Sequence, residues 1–135
     1  MIGAMTATSI EIDQTRIKKF SLPKLKVYAY FVKSKSWAIE KNDYYLTHER
    51  LHFDIAEIYA RKIRKAFDSL NNENITDVAK YKDVYNKYGV QLRYYNKQYD
   101  SEVYYSEKRQ SEWIQNIHSE LDHLKDYEFK TFYQE

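Results

Sequence analysis

The feature that most constrains this chain is a His-Glu-x-x-His motif, Thr47-His48-Glu49-Arg50-Leu51-His52-Phe53, at the head of a long helical pattern. On a helix, residues four apart share a face and lie about 6 Å apart along the axis. His48 and His52 can therefore take two corners of a tetrahedral zinc site. Glu49, beside the first, is placed to take a proton from water activated at the metal. Tyr44, Tyr45 and Leu46 precede the motif, and Phe53, Ile55, Ile58, Tyr59, Ile63 and Phe67 follow it. A helix with that pattern is partly buried, and two buried imidazoles require partners. The bland alternative is a helix that carries the spacing by chance, with both rings satisfied by carbonyls or water.

Composition narrows the choice of partners. The chain has no cysteine, so disulfides and thiolate ligands are excluded, and a metal must use His, Asp, Glu or Tyr. A formal charge of +2 over 135 residues gives no global field for nucleic acid, so no nucleic-acid partner is expected. With 43% apolar residues the chain can bury one modest core, and 1–135 is expected to be a single domain. No run approaches the roughly 18 apolar residues of a membrane span. The first residues, Met1 to Ile12, lack a basic segment followed by an apolar stretch, so no signal peptide is expected within them.

In chain order, Thr6 to Asp13 and Leu25 to Val32 alternate in the β manner. A hairpin pairing of the two is the simple expectation, with Ser21-Leu22-Pro23 as a break between them. The first helix is expected from Asp43 to Leu70, with Glu57 and Arg61 as an i,i+4 pair and Asn71-Asn72-Glu73-Asn74 as its stop. Thr76 can cap a second helix, Asp77 to Tyr99, whose stripe is Val78, Tyr81, Val84 or Tyr85, Tyr88, Leu92 and Tyr95. Gly89 inside it suggests a kink. Asp100 to Tyr105 reads as a turn, and Ser106 as the cap of a third helix, Glu107 to Asp126. That helix would bury Trp113, Ile114, Ile117, Leu121 and Leu124. The expected class is α+β: a small antiparallel β-hairpin sheet packed on three helices, with the motif on the longest. Fifteen tyrosines are unusual. They read first as boundary packing with the hydroxyl left wet, and second as the aromatic wall of a cleft.

A catalytic zinc needs three protein ligands and one open position, and the motif supplies two ligands. The position six residues past the second His, where metzincins place a ligand, is Ile58. The third ligand stays open among Asp100, Glu102, His118 and His123, with Glu73 and Glu107 as further formal candidates. His118 and His123 read equally as solvated helix histidines. Glu57 and Asp54 face well away from His52.

The run Leu46 to Arg64, with HERLHFDIAEIYARKIR at its centre, resembles a bacterial domain family of unknown function, frequent in Bacteroidetes and described as secreted zinc-dependent proteases. Val27-Tyr28-Ala29-Tyr30-Phe31, Ser36-Trp37, Gln98-Tyr99-Asp100-Ser101-Glu102 and Gln110-Ser111-Glu112-Trp113 are also similar to that family. The resemblance covers about Thr6 to Leu121. It implies a zincin-like domain, bound zinc, a peptide or protein substrate, and a secreted or periplasmic location. It also implies that His48 and His52 are ligands, that Glu49 is the base, and that this chain begins late relative to family members. The family's YDxxTxHG motif is not matched throughout. Val103, Tyr105 and Ser106 stand where it has Thr, His and Gly. That departure puts hydrolysis in doubt and leaves a degenerate, peptide- or glycan-binding relative as the alternative.

Overall fold

The computed structural model describes residues 4–5, 8–15, 22, 24–31, 37–38, 43–103 and 106–128, with side chains at 22, 25–29, 46–103 and 106–128. Its elements run β1 (Ala4–Met5), β2 (Thr8–Thr15), β3 (Lys24–Phe31), β4 (Trp37–Ala38), α1 (Asp43–Asn72), α2 (Val78–Val103) and α3 (Glu107–His123), then a single 3-10 turn, Lys125–Tyr127.

α1 is the central element. Ile55, Ala56, Ile58, Ala60 and Ile63 are all fully buried. Those positions spread around the helix, so α1 is covered on more than one side. α2, α3 and β3 supply the cover. From α2 come Tyr81, Leu92, Tyr99 and Val103, and from α3 come Gln110, Trp113 and Ile117. Ile114, Leu121 and Leu124 pack only partly buried against this core. No helix among the described residues is long and apolar enough to cross a membrane.

The expected α+β class is corrected by this arrangement. Helix makes up 84% of the chain described with its side chains, where strand is confined to one short stretch and builds no sheet. Backbone pairing does occur in two-stranded ribbons: β2 with β3, Ile10 opposite Ala29 and Ile12 opposite Val27, and β1 with β4. A two-stranded ribbon is too small to serve as a layer. Val27 is the only strand residue among the described buried apolar side chains. Alternation in the sequence reports local extended backbone; it does not report how much core a segment contributes.

Local signals explain the helix ends. Asn74 takes φ 59°, the left-handed conformation that asparagine tolerates. Ile75 N–H bonds to Leu70 C=O and Asn74 N–H to Asn71 C=O, each at 3.0 Å, which is the Schellman pattern. At the next start it is Asp77, not Thr76, whose carboxylate accepts from Ala79 N–H at 3.0 Å. Ser106 caps α3 as expected, accepting from Arg109 N–H at 3.2 Å. α3 stops at His123, three residues short of the expected end.

Two differences lie in α2. It is continuous through Gly89, where an added Cβ would meet nothing within 4 Å. It also runs on to Val103, so most of the expected Asp100–Tyr105 turn is helix. Two tyrosines, Tyr81 and Tyr99, are drier than expected. Tyr81 is 1% exposed, and its hydroxyl lies 2.8 Å from both Asn71 Oδ1 and the Ile75 carbonyl.

The far half of α1 is tied to its neighbours by a charge cluster. Glu57 bonds Arg61 at 2.8 Å and Arg64 at 2.9 Å. Arg64 also donates to Val27 C=O at 2.7 and 3.0 Å and to Tyr127 C=O at 3.0 Å. Arg61 donates to Leu121 C=O at 2.6 Å. One guanidinium thus joins α1, β3 and the C-terminal turn. Arg64→Met should cost about 1–3 kcal/mol in urea melts, because it leaves the Val27 and Tyr127 carbonyls without this donor and removes one of the two arginines that pair with Glu57. Gly89→Ala should stabilise the protein by roughly 0.5–1 kcal/mol, since it trades backbone entropy for helix propensity with no clash to offset it. A lower midpoint for that variant would show that α2 needs the glycine.

Candidate metal centre

His48 and His52 sit on the face of α1 that meets α2. His48 is 1% exposed and His52 8%. Their ring centroids are 5.3 Å apart with planes at 77°. Both Nε2 atoms converge on one carboxylate oxygen: Asp100 Oδ1 lies 2.9 Å from His48 and 2.7 Å from His52. Among the described residues these three form a group whose ligand atoms all lie within 4.8 Å of one another, and together they could hold a metal ion.

The geometry follows from matching repeats on two packed helices. His48 and His52 are i,i+4 on α1; Asn96 and Asp100 are i,i+4 on α2. Asn96 Oδ1 lies 2.8 Å from His52 Nδ1 and accepts its proton. That contact leaves Nε2 as the nitrogen offered to a metal, the usual job of an outer partner to a ligating histidine. Tyr99 lies between. Its ring stacks on His48 with centroids 4.6 Å apart and planes at 20°, and its hydroxyl donates to the His48 carbonyl at 3.0 Å. The core therefore grips His48 from its flat side and through its own backbone.

The donor set fits a metal. Two imidazole Nε2 atoms and a carboxylate are a common zinc set with a fourth position open. Bonds of about 2 Å place tetrahedral ligand atoms roughly 3.3 Å apart. The two Nε2–Oδ1 distances are thus short by roughly half an ångström. The Asp100 side chain can make that movement because it is 52% exposed, near the end of α2. Its exposure also gives the cluster its open side.

Charge couples the three. Burial alone would push the His52 imidazolium down. The hydrogen bond and charge of Asp100, the Asn96 acceptor and the Glu49 charge outweigh it and hold His52 above its ordinary 6.5. Burial likewise works to raise Asp100, but hydrogen bonds from His48 and His52 and their charges hold its carboxyl well below the usual carboxylate range. Glu49, half-buried next to His48, is near enough for its charge to act on His52.

The other candidates go elsewhere. Glu102 accepts from Gln98 and Trp113 and pairs with Arg109. Those contacts, Gln98 first, lower its carboxyl. His118 and His123 are exposed on α3, and His123 Nδ1 is 2.9 Å from its own helix at Ser119 C=O. Glu73 and Glu107 are exposed at helix ends. Tyr105 lies outside the described residues. Asp54, half-buried, has its carboxyl raised by burial while His118 and Arg50 act against the rise. Sequence reasoning missed Asn96 and Tyr99. The available signal was the Asn96-x-x-x-Asp100 spacing, which repeats His48-x-x-x-His52, but it appears only once α2 is extended past Tyr99.

No family model, no curated protein and no solved structure matches the chain. What the fold and the cluster define is a helical domain with a two-histidine, one-carboxylate centre on the α1–α2 interface.

In chelator-treated protein the two shifts have opposite signs. The raised His52 contributes stability fully below 6.5 and loses it as pH rises through its folded value. The lowered Asp100 contributes stability above 3.8 and loses it as pH falls through its folded value. The melting advantage of the wild type over Asp100→Asn should therefore be larger near pH 5.5 than near pH 8.5, and should fade in strong acid. An advantage that grows steadily with pH would contradict the pairing of Asp100 with His52.

Proposed function

We propose that this protein is a zinc-dependent metallopeptidase-like hydrolase, with His48, His52 and Asp100 as metal ligands and Glu49 as the general base. One observation carries the reading: two buried imidazole nitrogens, one helical turn apart, share a carboxylate oxygen at 2.9 and 2.7 Å. Zinc bound there would supply Lewis acidity and water acidified enough to react at neutral pH. Asn96 holds the His52 tautomer that offers Nε2, and Tyr99 fixes His48 through its carbonyl. The half-exposed side chain of Asp100 leaves room for a peptide carbonyl on the solvent side. Glu49, within electrostatic range of His52, takes the proton of the attacking water and delivers it to the departing amine. His48, Glu49 and His52, the chemical part of the run that resembles the secreted zinc-protease family, support the same assignment.

A second reading is a peptide- or glycan-binding relative without hydrolysis. Val103 favours it. This residue stands where the resembled family has Thr, and it is fully buried in the last turn of α2 with no hydroxyl to offer.

Mass spectrometry of metal content should find about one zinc per chain, and zinc at a hundredfold excess over Kd should add about 2.7 kcal/mol of stability. Asp100→Asn should cut that gain sharply. On a fluorogenic peptide library, Glu49→Gln should keep zinc and lose about 10²–10⁴ in kcat/KM. Wild-type protein that holds zinc and binds peptides yet cleaves none would select the second reading. An identical melt with and without zinc would remove the metallopeptidase reading.

A further inference from the structure

The face of α2 that carries Asn96 and Asp100 also carries Arg93 and Lys97. The four are spaced i, i+3, i+4 and i+7, so they form one stripe along the helix. Both cations are exposed, and neither takes part in an ion pair among the described residues. They border an open surface depression of about 600 Å³, lined among the described residues by Val90, Arg93, Tyr94, Asn96 and Lys97. Asn96 is common to both places: it lines the depression while its Oδ1 receives the His52 proton. Val90 and Tyr94, at 48% and 76% exposure, give the depression an apolar edge.

Charge identifies the occupant. The Asp100 carboxylate is taken up by the two imidazoles, so the two cations on the stripe are the groups left to meet a ligand. Arg93 precedes Asn96, and Lys97 precedes Asp100, by three residues, or about 4.5 Å of helix rise in each case. A negative group held between their side chains would lie within roughly 5–10 Å of the centre, a span of about two extended residues. A guanidinium and an ammonium at that separation suit a carboxylate.

We propose that Arg93 and Lys97 form a carboxylate-recognising subsite of the His48–His52–Asp100 centre. The preferred substrates are then peptides with a carboxylate within about two residues of the bond presented there. This rests on the metallopeptidase reading for its chemistry but not for its binding. The carboxylate has two sources, a peptide C-terminus or an Asp or Glu side chain, and the stem next to it lies against Val90 and Tyr94.

The test uses the zinc-loaded Glu49→Gln chain and a fluorescein-labelled, alanine-rich pentapeptide, read by fluorescence polarisation. Three forms are compared: the free acid, the C-terminal amide, and the amide with aspartate as last residue. At low ionic strength at least one carboxylate form should bind about tenfold tighter than the plain amide, and added salt should weaken it. Preference for the free acid assigns the C-terminus; preference for the aspartyl amide alone assigns a side chain. The double variant R93Q/K97Q should lose the difference, and R93E/K97E should shift preference to a lysine-containing amide. Equal affinities for all three forms, or a preference that survives R93Q/K97Q, would overturn the proposal. Zinc content measured on the same samples separates the two claims. A zinc-loaded chain without the preference refutes the subsite alone. A chain that holds no zinc yet keeps an Arg93- and Lys97-dependent preference refutes the metal reading alone.

Discussion

A single oxygen atom, Asp100 Oδ1, sets the relation between the two longest helices. It lies within hydrogen-bond distance of two imidazoles that are almost wholly removed from water. Burying two such rings is unfavourable unless their nitrogens find partners. α2 supplies those partners at the same four-residue interval at which α1 presents the rings. The register of α1 against α2 and the assembly of the centre are thus one event. A slip of one residue in α2 would take Asp100 about 100° around its helix and away from both rings. Tyr99 reinforces the register from the core side, because its buried hydroxyl has the His48 carbonyl as acceptor.

Much of this was legible, and the limits of legibility were physical. The periodicity of α1 and the run Asn71 to Asn74 are local properties, and both define what is found. The His48–Glu49–His52 motif is local as well, and the rings converge as the spacing implies. Asp100 was legible only as one candidate among several. The polar run Asp100, Ser101 and Glu102 resembles a turn when α2 is read alone. It is helical because Tyr99 and Val103, one turn apart, are fully buried against neighbouring elements. Tertiary burial overrode weak local propensity. Asn96 carried only its four-residue spacing from Asp100 as a mark, and its role exists only opposite His52. The α+β expectation failed for a related reason. The alternation in β2 and β3 was read as a layer, whereas only Val27 of β3 enters the described core.

The residues of α1 that carry the family resemblance divide between different tasks. His48 and His52 meet Asp100. Ile55, Ala56, Ile58, Tyr59, Ala60 and Ile63 build the core. Glu57, Arg61 and Arg64 hold β3 and the C-terminal turn against the helix. Most of the long run His48 to Arg64 is therefore accounted for by packing and by one charge cluster. A chain could keep that run to preserve the fold after losing its chemistry. Length of similarity along α1 consequently says little about hydrolysis. The discriminating positions are few and lie mostly on the other helix. Asp100 decides whether the imidazoles have a third donor, Asn96 decides which nitrogen His52 offers, and Glu49 decides whether a base stands beside them. The proposed hydrolysis draws on all three together, whereas a folded domain needs only that the two buried imidazoles be partnered.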